Sequence, residues 1–72
     1  MSETFPDLLR RLRSERGWSQ PQLARYSGVS QAAIGMLETG KRTRPAAETL
    51  LRLAKALEVS VDMLASAAET KE

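Results

Sequence analysis

The 72-residue sequence contains no cysteine and no histidine. Without cysteine, neither a disulfide scaffold nor a cysteine-ligated zinc site can form. Without histidine, the chain lacks the commonest metal ligand and the usual general base at neutral pH. The sequence also lacks a glycine-rich phosphate loop and a convincing pair of carboxylates for acid–base chemistry. These absences argue against an enzyme and predict a protein that needs no cofactor.

Long apolar runs are missing as well. No stretch approaches the roughly 20 apolar residues that span a membrane as a helix, and the N-terminus lacks the layout of a signal peptide. We therefore expect a soluble, cytoplasmic protein. A chain of this length forms one domain, which buries only about 60% of the surface that the unfolded chain exposes. We expect this domain to occupy residues 1–66 and residues 67–72 to form a frayed tail, because apolar periodicity ends before them.

Charged residues are unevenly distributed along the chain. Residues 10–44 contain eight basic and two acidic side chains, a balance of +6, whereas the other positions contain three basic and seven acidic ones, a balance of −4. The eight basic residues are Arg10, Arg11, Arg13, Arg16, Arg25, Lys41, Arg42 and Arg44. Such asymmetry is typical of a protein with one side that faces a polyanion, and it favours nucleic acid as the partner. The arginines of the first helix are also compatible with an ordinary solvated helix face.

The spacing of apolar residues predicts five helices and no strand. Phe5 and three leucines, spaced i, i+3, i+4 and i+7, mark the first helix, and a second set of this kind marks the fourth. The predicted ranges are 5–16, 20–26, 31–39, a helix with Pro45 in its first turn, and a short helix from the cap Ser60 to about Ala65. The predicted fold class is therefore all-α.

The segment 19–39 has the pattern of two short helices joined by a tight turn. Ser19 is a suitable N-cap, and Gln22 three residues later completes a capping box. Gly28 can take the positive φ that the turn requires, and Ser30 can cap the second helix. This pattern is typical of a helix-turn-helix motif that binds DNA.

The second helix of this motif has two faces. Ile34 and Leu37 are expected to point inward, where Leu9 and Leu12 of the first helix pack against them. The outward face consists of Gln31, Ala32, Gly35 and Met36. A solvent-facing surface with so few charges, between basic flanks, is better suited to contact the edges of bases than to contact water. Gly35 weakens the helix by roughly 1 kcal/mol relative to alanine, which suggests a close approach to DNA.

Three segments of the chain resemble the phage-repressor-like helix-turn-helix family, the group of the lambda and 434 repressors and Cro. They are LRRLRSERGWSQPQLA, GVSQAAIGMLETGKRTRP and ETLLRLAKALEVSVDML, in this order and at ungapped spacing. The resemblance covers about residues 5–65 and implies a compact five-helix bundle in which helix 3 enters the major groove. It also implies that the partner is double-stranded DNA with a palindromic operator, bound by a homodimer. No membrane or small-molecule partner is implied.

The resemblance assigns roles to individual residues. The implied base-facing residues are Gln31, Ala32 and Met36. The implied backbone contacts and supports are Gln20, Ser30, Arg13, Thr39, Lys41, Arg42 and Arg44. Arg13 and Glu38 match an ion pair that ties helix 1 to helix 3. Gln31 can form a bidentate pair with adenine, whereas Ala32 and Met36 can offer only apolar contact.

The sequence thus favours a sequence-specific transcriptional regulator, most simply a repressor. The alternative is an antitoxin or adaptor of the same fold whose main partner is a protein. The chain is either a complete minimal repressor or one domain of a longer regulator. For pairing on DNA, Val59, Val61 and Met63 offer apolar side chains near the end of the chain.

Overall fold

The computed structural model describes residues 3–42 and 44–68, and the secondary structure within them is helical. The helices are α1 (Phe5–Glu15), α2 (Gln20–Ser27), α3 (Gln31–Thr39), α4 (Ala47–Leu57) and α5 (Val61–Ala68). No strand occurs in this part of the chain, so the predicted all-α class is confirmed. None of the described helices is both long enough and apolar enough to cross a membrane.

Side-chain caps determine where several helices begin. The Ser19 hydroxyl accepts a hydrogen bond from the Gln22 backbone N–H at 3.3 Å, and the Gln22 side-chain oxygen accepts one from the Ser19 N–H at 2.8 Å. This reciprocal pair is the predicted capping box. The hydroxyls of Ser30 and Ser60 each accept from the N–H three residues further on, at 3.1 Å. The three serine caps predicted from the sequence are therefore confirmed.

Helix α4 begins later than the sequence predicts. Pro45 is expected in its first turn, but the helix begins at Ala47 and Ala46 is its N-cap. Ala46 has an extended backbone with ψ 154°, and its side chain makes no capping hydrogen bond. The prediction is wrong here because alanine gives no capping signal in the sequence, whereas proline suggests a helix start.

Helix α5 ends later than predicted. The sequence places its end near Ala65 and assigns Ala67 and Ala68 to a frayed tail, but the helix continues through both residues. Their side chains are half-buried and pack against the core. Alanine gives little apolar periodicity in the sequence, yet its methyl group can pack against a neighbouring helix. The expectation for residues 69–72 lies outside the described residues.

One apolar core connects the five helices. Its buried members are Phe5, Leu8, Leu9, Leu12, Leu23, Val29, Ile34, Leu37, Leu50, Leu53, Ala54, Leu57 and Leu64. Helix α3 contacts both α1 and α2, α1 also contacts α5, and α4 contacts α2 and α5. The predicted docking of Leu9 and Leu12 toward Ile34 and Leu37 is confirmed, since all four side chains are buried in this core. The core thus holds α3 against two other helices and leaves one of its faces toward solvent.

The turn between α2 and α3 is held by α4. Gly28 has φ 79°, in the left-handed region that the turn requires. Arg52 of α4 donates a hydrogen bond from Nη1 to the Gly28 carbonyl oxygen at 3.4 Å. A Cβ atom at Gly28 would lie only 3.2 Å from that same nitrogen. The left-handed backbone conformation therefore favours glycine at this position, whereas the exposed end of Arg52 could shift to admit a Cβ atom.

Candidate nucleic-acid interface

The two faces of α3 differ in exposure as the sequence predicts. Ile34 and Leu37 on the inward face are fully buried. The opposite face consists of exposed Gln31 and Ala32 and of half-buried Gly35 and Met36. Gln31 is the one residue of these four with a polar side chain. Helix α3 therefore presents to solvent a surface with a single amide group and otherwise apolar character.

A buried carboxylate lies behind this surface. Glu38 of α3 is only 2% exposed. Its Oε2 accepts from Arg13 Nε at 2.7 Å, and its Oε1 accepts from Arg13 Nη2 at 2.9 Å and from Gln20 Nε2 at 3.0 Å. A bidentate arginine–carboxylate pair fixes orientation as well as distance. The carboxylate of Glu38 thus ties α1, α2 and α3 together, and the predicted pair of Arg13 and Glu38 is present with Gln20 as a third member.

Arg13 donates three hydrogen bonds within the chain. Besides its two bonds to Glu38, it donates from Nη1 to the Trp18 carbonyl oxygen at 2.8 Å. The side chain is 17% exposed, and the hydrogen bond to Glu38 raises the pKa of Arg13. Each nitrogen of the guanidinium group therefore already has an acceptor in the protein, and the group remains charged.

A second arginine of α1 contacts the C-terminal end of α3. Arg10 donates to the backbone carbonyl oxygen of Glu38 and to the carboxylate of Asp7. Helix α3 has no basic residue in its own last turn. A cation near the C-terminus of a helix interacts favourably with the helix dipole, and here α1 supplies that cation. The spacing of Asp7 and Arg10 is visible in the sequence, but the contact with α3 depends on how the helices pack.

The segment after α3 carries exposed cations. We call Lys41, Arg42 and Arg44 the basic loop. The Arg42 backbone N–H donates to the Met36 carbonyl oxygen at 3.2 Å, and the Thr39 hydroxyl donates to the same oxygen at 3.3 Å. The start of the basic loop is therefore folded back onto the end of α3. Its three side chains are exposed and make no ion pair or hydrogen bond with another described residue.

The arginines in and just after α1 do not contribute to this unpaired charge. Arg10 pairs with Asp7, Arg11 with Glu3 and Glu15, Arg13 with Glu38, and Arg16 with Glu58. Hydrogen bonding between Arg11 and Glu3 lowers the pKa of Glu3 and raises that of Arg11. Glu3, Asp7 and Glu58 lie outside residues 10–44 in the sequence but contact these arginines in space. The basic surface within residues 10–44 is therefore smaller than the sequence predicts, and its cations without an ion pair to a described residue are the basic loop and Arg25.

Part of this pairing is visible in the sequence. Arg11 and Glu15 are four residues apart on one helix, a spacing at which opposite charges meet. The pair of Arg16 and Glu58 joins residues 42 positions apart. A contact of that kind follows from the packing of α1 beside the end of α4 and has no local signal.

A model of the helix-turn-helix family matches residues 9–64. The chain belongs to this family. Among curated proteins, it is similar to the HTH-type transcriptional repressor RghR of Bacillus subtilis, with 47% identity over 62 residues that make up 86% of this chain and 46% of that protein. It is also similar to the HTH-type transcriptional regulator SutR of Escherichia coli, with 41% identity over 51 residues, which are 71% of this chain and 28% of that protein.

Family membership confirms the resemblance drawn from the three sequence segments. The matched range of this helix-turn-helix chain includes Arg13, Gln20, Glu38 and the basic loop. The relatives named above are described as a transcriptional repressor and a transcriptional regulator, and neither is described as an enzyme. The chain spans about half the length of the first curated relatives that it matches, 46% in each case.

Proposed function

We propose that this chain binds double-stranded DNA in a sequence-specific manner and represses transcription by occupying promoter DNA. The observation that carries the proposal is the position of two features at α3: an exposed face almost without charge, and unpaired cations directly after the helix. An uncharged, exposed helix face can contact base edges, and unpaired cations can bind phosphates. The similarity to a protein named as a transcriptional repressor supports the same function.

In this proposal the outward face of α3 enters the major groove. That groove admits an α-helix and displays a different pattern of donors, acceptors and methyl groups for each base pair. Gln31 is exposed at the first position of α3, where recognition helices of this type contact bases. Its amide can donate to N7 and accept from the N6 amino group of adenine. Ala32 and Met36 face the neighbouring base pairs.

The basic loop binds phosphates in this arrangement. Lys41, Arg42 and Arg44 form no ion pair with a described residue that would have to break before they approach a phosphate, and each cation that neutralises a phosphate also displaces condensed counterions. Thr39 and Ser30 lie at the two ends of α3, where we expect them to make further contacts with the DNA backbone. The free backbone N–H groups at the start of α3, beside Ser30, favour an anion there.

Arg13 and Gln20 act differently. Because Arg13 is only 17% exposed and is held by Glu38 and the Trp18 carbonyl oxygen, we assign it the support of α3 instead of a phosphate contact. Gln20 donates from Nε2 to Glu38, which orients its amide and leaves its oxygen near Gly35. We therefore assign Gln20 both the support of α3 and a place beside the DNA backbone.

Two copies of the chain act together on a palindromic operator in this proposal. Val61 and Met63 of α5 are 37% and 45% exposed, so both are available for a contact between copies. Val59, in contrast, is half-buried against the core, so it contributes less to a contact between copies than the sequence suggests. The proposed site of action is the cytoplasm, where the genome lies.

Selection from a pool of random DNA duplexes tests this function. The wild-type chain should enrich one family of sequences that contains an inverted repeat. Gln31→Ala should lose about 1–3 kcal/mol of binding free energy on the enriched sequence and relax the preference at one base pair. Equal losses on enriched and random duplexes would remove Gln31 from base recognition. Enrichment of no sequence, together with capture of a protein partner, would favour the adaptor or antitoxin alternative.

A further inference from the structure

We propose that α3 recognises thymines in its operator through their C5-methyl groups, which Ala32 and Met36 contact in the major groove. This inference rests on the proposed function and names the feature of DNA that the site reads. Ala32 is exposed and Met36 is half-buried on the outward face of α3, and neither carries a group that can hydrogen-bond to a base edge. Gln31 alone supplies such a group among the four outward residues.

The chemistry of the groove selects thymine. Guanine, cytosine and adenine present only donors and acceptors in the major groove, whereas thymine also presents a methyl group. An apolar side chain packed over a donor or acceptor removes water from that group without replacing its hydrogen bond, and this is unfavourable. Ala32 and Met36 therefore gain contact with a thymine methyl group and disfavour the other bases at the same positions.

Met36 lies where α3 meets the basic loop. Its backbone carbonyl oxygen accepts hydrogen bonds from the Thr39 hydroxyl and the Arg42 N–H, at the junction with the basic loop. When the cations of the basic loop bind phosphates, this junction is held beside the DNA backbone. The flexible, polarisable side chain of methionine can then adjust to a methyl group at close range.

Gly35 gives an independent reason for a close approach. A Cβ atom at this position would meet, within 4 Å, only the Gln20 side-chain oxygen at 3.8 Å, which is an ordinary contact. Gly35 also has a helical backbone that any residue can adopt, since its φ is not in the positive range. The packing of the chain therefore does not require glycine here, although glycine weakens a helix relative to alanine. A surface that approaches from outside the chain, such as DNA, explains it.

Replacement of thymine by deoxyuridine provides the test, because it removes the methyl group and leaves every hydrogen-bonding group unchanged. The operator enriched from the random pool is synthesised with one such replacement at a time. At each of the contacted thymines, we expect Kd to rise about fourfold, which corresponds to the burial of one methyl group. Replacement at thymines outside the half-sites should leave Kd unchanged and serves as the control.

Two variants connect the effect to the named residues. Met36→Gln keeps the length of the side chain but adds an amide, and it should abolish the effect of deoxyuridine at one position while leaving the others. Gly35→Ala should raise the melting temperature and weaken binding by more than the loss of a single methyl contact. Ser14→Ala on the exposed face of α1 is the matched control, because it improves helix propensity without changing DNA affinity.

The outcomes separate this inference from the proposed function. An enriched operator that binds equally well with deoxyuridine at every thymine would overturn the inference and leave the proposed function intact. Gly35→Ala with a raised melting temperature and full DNA affinity would overturn the close approach. Failure to enrich any sequence would overturn the proposed function and this inference together.

Discussion

Glu38 shows how one buried side chain can organise a surface that it does not itself form. Its carboxylate is 2% exposed and accepts three hydrogen bonds from two side chains. Removal of two charges from water is costly, so such a pair adds little net stability compared with apolar residues of similar size. The pair instead fixes the orientation of α3 relative to α1, and the Glu38 carboxylate also orients the amide of Gln20. We therefore expect this network to matter for geometry as much as for stability.

Removal of one partner should nevertheless be severe. Arg13→Ala leaves the Glu38 charge buried with Gln20 as its one remaining side-chain donor, and we expect the free energy of unfolding to fall by about 3–5 kcal/mol. Denaturation in urea measures this loss. The double variant Arg13→Met with Glu38→Leu is the control, since it removes both charges and should recover much of the stability. A loss below about 1 kcal/mol, typical of an exposed pair, would contradict the burial of Glu38.

At the level of single residues, the sequence predicts the pair of Arg13 and Glu38 only through a family resemblance. Neither the spacing of these residues nor their local context indicates that they meet, because they lie 25 positions apart. The contacts of Arg10 with the Glu38 carbonyl oxygen and of Arg52 with the Gly28 carbonyl oxygen are absent from the prediction for the same reason. Each depends on the packing of two helices that are distant in the sequence.

Helix α3 depends on its neighbours for its position. It has nine residues, and isolated helices of fewer than about 12 residues are marginal in water. Glycine at position 35 weakens it further. The contacts of its buried face with α1 and α2 therefore hold both its helical form and its position. The position of α3 therefore depends on how well its buried side chains pack against α1 and α2.

Truncation of one of these side chains tests the docking of α3. Leu37 is fully buried, so Leu37→Ala should lower the free energy of unfolding by about 2–5 kcal/mol, a large part of the stability of so small a domain. Thermal or urea unfolding measures the change. Leu51→Ala makes the same chemical change at a side chain that is 51% exposed, and it should lose far less. Similar losses for the two variants would mean that the buried face of α3 is wrongly assigned.

The ends of the helices show which signals the sequence contains. Helices with a serine cap begin where the sequence predicts, because the capping side chain is a local signal. The start of α4 was not predictable in this way, since Ala46 caps it through backbone geometry alone. The end of α5 was missed because Ala67 and Ala68 add burial without a periodic pattern of large apolar residues. The periodicity of apolar residues predicts which face of a helix is buried better than it predicts where the helix ends.

For the whole molecule, the decisive correction concerns charge. Counted along the sequence, residues 10–44 carry eight cations and two acids, an excess of six positive charges. In the folded chain, acids from both ends of the domain neutralise the arginines in and after α1, as the pairs with Glu3 and Glu58 show. The cations that remain unpaired within the described residues include the basic loop beside α3. The fold thus concentrates positive charge where the proposed interface needs it.

This distribution predicts the salt dependence of DNA binding. Lys41→Ala and Arg44→Ala should each weaken binding to all duplexes and lower the slope of log K against log salt concentration by about 1. Lys55→Ala on α4 is the matched control, since Lys55 is also exposed and makes no ion pair with a described residue. It should leave the slope unchanged. A slope that stays constant in both loop variants would exclude the basic loop from the interface.

Pairing of two copies on DNA is the last expectation at this scale. In the proposed binding mode, one copy contacts only a few base pairs through α3, and a single amide gives it little polar selectivity, so one copy alone should bind weakly. Two copies multiply the selectivity when their recognition helices lie about 34 Å apart, one turn of the duplex. Footprinting should therefore show two half-sites related by a two-fold axis, with centres about 10–11 base pairs apart.

We propose that exposed side chains of α5 provide the contact that this pairing requires. Val61 and Met63 are two exposed apolar side chains, which give little area for a stable dimer, so we expect little dimer in dilute solution but cooperative binding once DNA holds both copies in place. Met63→Glu should abolish cooperativity while leaving the affinity for a single half-site intact, and Leu51→Glu, at an exposed leucine on α4, is its control. A single asymmetric footprint, occupied without cooperativity, would contradict pairing and indicate that one copy of this domain acts alone.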